Sequence, residues 1–129
     1  MLRPDVARIT EDIRDAAVKV HRTLGRGLLE NAYRSCLARE LSLRVHEVDL
    51  EVPVQLVYEG ERIPLAFCAD MVIDRRVVLE LKALEMVIPR HFAQARTYLR
   101  VGRYDAAILL NFHAPRLIDG YFLLDPSFP

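Results

Sequence analysis

The spacing of apolar residues changes character along this chain, and each change predicts a different element. From Pro4 to Leu24, Val6, Ile9, Ile13, Ala16, Ala17, Val20 and Leu24 recur at intervals of three and four, the stripe of an amphipathic helix. Pro4-Asp5 opens it and Gly25-Arg26-Gly27 ends it. A second helix is predicted over residues 28–43, with Leu29, Ala32, Tyr33, Cys36, Leu37 and Leu41 on its inner face. The pattern then shortens to strand-like runs. Residues 48–58 read as one strand whose Pro53 marks an edge or a bulge. Glu59-Gly60-Glu61 is a turn, residues 63–73 form a second strand with Pro64 near its start, and residues 77–83 form a third. Pro89 begins a third helix that ends at Gly102. Residues 106–112 and 117–124 complete the strands, and the last five residues are a loose tail. The order ααβββαββ predicts an α/β fold in which helices cover a mixed sheet.

Several polar residues break this pattern. The run Val77-Val78-Leu79-Glu80-Leu81-Lys82-Ala83 is apolar enough for a buried strand, yet it carries an acid and an amine. Side chains alternate in a strand, so Glu80 and Lys82 share one face and Leu79 and Leu81 the other. The preceding turn decides where Asp70 lies. A turn of three residues, Asp74-Arg75-Arg76, places Asp70 opposite Glu80 on the same face; a turn of two places it opposite Leu81, with the carboxylates on different faces. On the second helix, Glu30 projects into the apolar arc, where it is either a helix-start acid favoured by the dipole or part of a site. Glu40 projects there too and is expected to pair with Arg44. Gln94 and Tyr98, one turn apart, flank the apolar side of the third helix marked by Phe92, Ala95 and Leu99. Arg96, Arg100 and Arg103 line its other side and read as a solvated face. Asp70, Glu80 and Lys82 by themselves suit a structural ion network as well as a cation site.

Composition narrows the classes. A chain of 129 residues, 52% of them hydrophobic, suits a single domain (1–129, core about 5–124) and argues against disorder. No run is long enough to span a membrane and no signal-like segment opens the chain, so a cytoplasmic protein is expected. The 18 basic and 18 acidic residues balance, which excludes a non-specific coat for nucleic acid. Lys19 and Lys82 are the only lysines, so Lys82 stands out. Cys36 and Cys68 have neither metal spacing nor a disulfide framework and are expected to be reduced and buried. His21 and His91, near helix ends, are expected to cap or pack, and no serine or cysteine sits in a nucleophile motif.

Four segments together resemble a known family. Gly27-Leu28-Leu29-Glu30-Asn31-Ala32-Tyr33 fits G-x-x-E-x-x-Y. Asp70 followed by Glu80-Leu81-Lys82 fits the D…E-x-K core of PD-(D/E)XK nucleases, and Gln94-Ala95-Arg96-Thr97-Tyr98 fits the Q-x-x-x-Y that follows it. The chain resembles a GxxExxY protein, a branch of that superfamily, from about Val20 to about Gly120, including Leu110-Asn111-Phe112. Phe67-Cys68-Ala69 stands where the family has a basic or polar residue before its aspartate.

The resemblance implies a restriction-endonuclease-like fold and a Mg²⁺-dependent nuclease, with Mn²⁺ able to substitute and DNA as the expected substrate. It implies Asp70, Glu80, the Leu81 carbonyl and Glu30 as metal ligands. It also implies that Lys82 orients or deprotonates water, and that Gln94 and Tyr98 support the site. A catalytically silent module that binds nucleic acid or a protein partner is the alternative. A homodimer built on the apolar C-terminal strands is a third possibility.

Overall fold

The computed structural model describes residues 2–63 and 68–127. The first helix, α1 (Pro4–Leu24), has the predicted bounds and buries Val6, Ile13, Ala16, Ala17 and Val20. Helix α2 (Glu30–Leu43) starts later than the apolar pattern suggested. Its buried stripe is Tyr33, Leu37 and Leu41, a strict spacing of four that touches neighbours over a narrow arc. Leu29 therefore stays extended ahead of the helix and is 83% exposed, and Cys36, three residues after Tyr33, falls on the open flank. Cys68, at the start of a strand, is exposed too, so the expectation of two buried cysteines is wrong, although both are free thiols.

The first long strand expected before residue 74 is divided into β1 (Val48–Pro53) and β2 (Leu56–Tyr58); the described parts of the second lie in β3 (Glu61–Ile63) and β4 (Cys68–Ile73). Strand β1 pairs with β4 and β2 with β3, in registers offset by two residues, so one long hairpin is interrupted after Pro53 and continues as a separate ribbon. Pro64, expected near the start of the second strand, lies outside the described residues. Strand β5 (Val77–Lys82) follows, then helix α3 (Pro89–Val101), strand β6 (Ala106–Asn111), a 3₁₀ turn (Leu117–Gly120) where strand was expected, and strand β7 (Tyr121–Leu124).

The main sheet has the order β1-β4-β5-β6-β7. Only β5 and β6 run parallel, joined by α3 as a βαβ crossover; the other pairs are antiparallel. Helices α1 and α2 cover one face, packing on Met71, Ile73, Val77, Leu79, Leu81, Ile108 and Leu110. Helix α3 covers the other, setting Ala95, Tyr98 and Leu99 over Val72, Val78 and Ala107. Strands β5 and β6 are thus covered on both faces, which explains their nearly continuous apolar sequences. This is a restriction-endonuclease-like fold.

Candidate active site

Strand β5 is the central strand of the sheet, and it carries Glu80. Its neighbours Leu79 and Leu81 point towards α1 and α2, while Glu80 points towards α3 and is 5% exposed. Ile73 pairs with Val77, so the β4–β5 turn has three residues, Asp74-Arg75-Arg76. Asp74 and Arg75 take positive φ of 52° and 58°, the twist that a tight hairpin turn needs. This turn brings Asp70 level with Glu80.

The ladder between β4 and β5 stops one step short of that pair, at Met71–Leu79. Side chains close the gap instead. The Asp70 amide donates to Glu80 Oε1 at 3.2 Å, and the Leu81 amide donates to Asp70 Oδ2 at 2.8 Å. The opposite strand is irregular at the same level, because Glu51 takes φ 51° between the Leu50–Met71 and Val52–Ala69 pairs. Along β4, Ala69 and Val72 both belong to the α3-side core, so strict alternation breaks at Asp70. The Lys82 carbonyl accepts from the amide of Phe112, just past β6. Leu81, next to it in the pleat, therefore turns its N–H and C=O to the Asp70 side.

The acids feel one another. Burial, then the charge on Asp70, pushes the Glu80 carboxyl up to about 8. The Asp70 backbone hydrogen bond and the Lys82 ammonium oppose this without cancelling it, and Glu30 adds to it. Glu30, the first residue of α2, is also held above its usual range, first by burial and then by Asp70. Lys82 and Arg34 offset that shift. Glu30, Asp70, Glu80 and Lys82 thus come from three segments into one electrostatic neighbourhood. Lys82 is half-buried and makes no ion pair among the described residues. Tyr98 is buried under α3, and its hydroxyl accepts from Gln94 Nε2 at 3.0 Å. Burial, then Glu80, pushes the Tyr98 phenol up to about 12, so it keeps its proton at neutral pH.

Sequence reasoning missed Arg34. Its Nη1 lies 3.9 Å from Asp70 Oδ1 and 3.4 Å from Glu51 Oε1. The available signal was its position one turn after Glu30 on the same helix. The anchoring role of Asn111 also needed three dimensions. Buried at the end of β6, it accepts the Leu84 amide at 3.1 Å and donates to the Leu84 carbonyl at 3.0 Å, fixing the chain just past Lys82. Tyr33 does the same ahead of Glu30: its hydroxyl donates to the Gly25 carbonyl at 2.6 Å and accepts the Leu28 amide at 3.1 Å. Its ring stacks on Phe112 at 4.6 Å. His91 caps α3 by accepting the Ile88 amide, as expected, and Glu40 pairs with Arg44 and also with Lys19.

The sequence matches the family described as "PD-(D/E)XK nuclease superfamily" over residues 7–121. The chain belongs to the PD-(D/E)XK nuclease superfamily. No curated protein matches it. Among solved structures it is similar to a chain described as "Crystal structure of SSO0001", at 16% identity, covering 91% of this chain and 77% of that one. The TM-score is 0.45, too low to carry an argument.

Divalent metals are typical of this superfamily, and the residues here fit one by chemistry. Carboxylates and a carbonyl are the hard oxygen donors that Mg²⁺ prefers, and the uncompensated acid charge around Glu80 is what a cation would neutralise. Among the described residues, however, no three acidic, histidine or cysteine side chains stand close enough together to hold an ion as they are. Asp70 Oδ2 is engaged by the Leu81 amide.

Proposed function

We propose that this chain is a Mg²⁺-dependent nuclease of the GxxExxY branch that hydrolyses phosphodiester bonds in DNA, with Mn²⁺ able to substitute. The observation that carries the reading is a buried glutamate raised to about 8 beside a second acid and a lysine that makes no ion pair among the described residues. A core tolerates that arrangement at a cost, and functional sites are where such costs concentrate. Asp70, Glu80 and Glu30, with the Leu81 carbonyl, would hold the metal. A divalent ion there would supply charge neutralisation at the phosphate and acidify a water. Lys82 would orient that water or accept its proton. The Tyr98 hydroxyl stays protonated and, with Gln94, supports the Glu80 side of the site as a hydrogen-bonding group, not as a base. Asn111 and Tyr33 hold the two segments that carry Lys82 and Glu30.

One observation favours a second reading, a catalytically silent module that binds nucleic acid or a protein. Asp70 is already satisfied by the Leu81 amide and approached by Arg34, so the acids are spaced for structure. The two readings separate in one experiment. Purified protein is incubated with single-stranded, double-stranded and branched DNA in Mg²⁺ or Mn²⁺, alongside Lys82→Ala. Cleavage that Lys82→Ala abolishes while leaving the fold and melting behaviour intact supports the nuclease. Metal-independent binding that Asp70→Asn leaves unchanged, without cleavage of any substrate, selects the silent module.

A further inference from the structure

Helix α3 carries a second concentration of charge that the site does not use. Residues 86–104 contain Arg90, Arg96, Arg100 and Arg103 and no acid, in a chain whose total charge is zero. Among the described residues, none of Arg96, Arg100 and Arg103 has a carboxylate within ion-pair distance, whereas Arg34, Arg44, Arg76 and Arg116 are each paired. Arg100 and Arg103 line a cleft of about 520 Å³ between the end of α3 and the Pro53–Val57 segment, and none of its lining residues is acidic. With Arg96 they also line a neighbouring cleft of about 380 Å³ that reaches Asp125. Tyr104 borders both.

The backbone supplies an independent sign that one of these side chains matters. The Tyr104 amide bonds back to the Leu99 carbonyl at 3.1 Å, closing the helix in the way that usually places glycine in the left-handed position. Here Arg103 holds that position at φ 58°, while Gly102 next to it is right-handed at φ −78°. A non-glycine residue there costs stability, and such costs are retained where the side chain has a task.

We propose that Arg96, Arg100 and Arg103 form an exosite for the phosphate backbone of nucleic acid. The inference rests on the nuclease-fold reading for its ligand, but not on cleavage. Arg96 to Arg103 spans roughly 10 Å along the helix, about three phosphates at the per-strand rise of DNA. From Gln94, the hydrogen-bond partner of Tyr98, to Arg103 is roughly 14 Å, about four nucleotides. The start of α3 lies by Lys82, whose charge, after burial, lowers the His91 pKa, and its end lies by the start of β5, where the Asp105 amide bonds the Arg76 carbonyl. A strand bound at the acids and followed along α3 would meet the arginines, which suit bidentate phosphate contacts.

The test is fluorescence anisotropy with labelled single-stranded and duplex DNA in EDTA, over a series of salt concentrations, so that binding is read without cleavage. Changing Arg96, Arg100 and Arg103 together to Gln is expected to weaken binding about tenfold or more and to reduce the slope of log K against log[salt] by roughly 2–3. The same loss of charge elsewhere, Arg8→Gln, Arg22→Gln and Arg39→Gln together, is expected to leave both nearly unchanged. Arg103→Gly guards against misfolding: it relieves the left-handed arginine, so it should raise the melting temperature while weakening binding. Equal losses from the two triple variants, or unaltered affinity and slope in the α3 triple, overturn the exosite. So does an equal dependence on these arginines for deoxyadenosine monophosphate, which would make the cleft a mononucleotide pocket. Absence of cleavage in Mg²⁺ with the arginine dependence intact overturns only the nuclease reading.

Discussion

Replacing Glu80 by Gln should make this protein more stable, and the gain should depend on pH. Glu80 is 5% exposed, and burial with the Asp70 charge lifts its carboxyl from an ordinary 4.5 to about 8. Below pH 4.5 the group is protonated in the folded and unfolded chain alike, and it costs nothing. Between 4.5 and about 8 the unfolded chain releases the proton while the folded one keeps it, so stability falls as pH rises. The slope is about 1.4 kcal/mol per pH unit, which accumulates to roughly 3 kcal/mol by pH 7 and roughly 4–5 above pH 8. Gln keeps the shape and the acceptor for the Asp70 amide without the charge. Urea unfolding of both proteins at several pH values reads the difference directly. The curves should meet near pH 4.5 and separate steadily above it, with the variant the more stable. Mg²⁺ should stabilise the parent protein more than the variant. Parallel curves, or a variant less stable at pH 8, would refute the claim that the acid charge at Glu80 is uncompensated.

Two other sites give independent checks. His46 joins α1 to the β4–β5 turn, its Nδ1 2.6 Å from Asp74 and its Nε2 2.8 Å from Asp12, with Arg44 3.9 Å from Asp12. Burial favours the neutral ring, but the two acids outweigh it and hold the pKa above 6.5. The clamp's stabilisation is therefore complete below pH 6.5 and lost as pH rises through the raised value. His46→Gln should cost about 2 kcal/mol at pH 6 and less at pH 9 in the same unfolding assay. A Cβ on Gly120 would collide with the Asn111 carbonyl and lie 2.9 Å from Ala114 Cβ, so Gly120→Ala should destabilise by about 2 kcal/mol, read as a lowered thermal midpoint.

How much of this the sequence revealed depended on whether the deciding contact was local. Helix α1 was legible end to end because its stripe, its opening proline and its closing glycines agree. That Asp70 lies level with Glu80 followed from counting residues through the turn, since a three-residue turn sets the register up to Met71–Leu79. Glu40–Arg44 was legible as neighbours one turn apart. What failed depended on the third dimension. Leu29 and Cys36 have the right residue types for an inner face, but α2 begins at Glu30 and buries only a narrow stripe. The split of the first long strand reflects the register offset beyond Pro53, which no single-strand pattern encodes. Arg34 beside Asp70 joins residues 36 positions apart, and local periodicity says nothing about such a pair.

The fastening of β4 to β5 by Asp70 has a further consequence. The Asp70 oxygen that secures the Leu81 amide keeps a second lone pair, so on the reading proposed above an incoming ion would share that oxygen with the strand fastening. Ion and hairpin would then hang on one side chain: filling the pocket would load the fastening of β4 to β5, and a change at Asp70 would be felt by both at once.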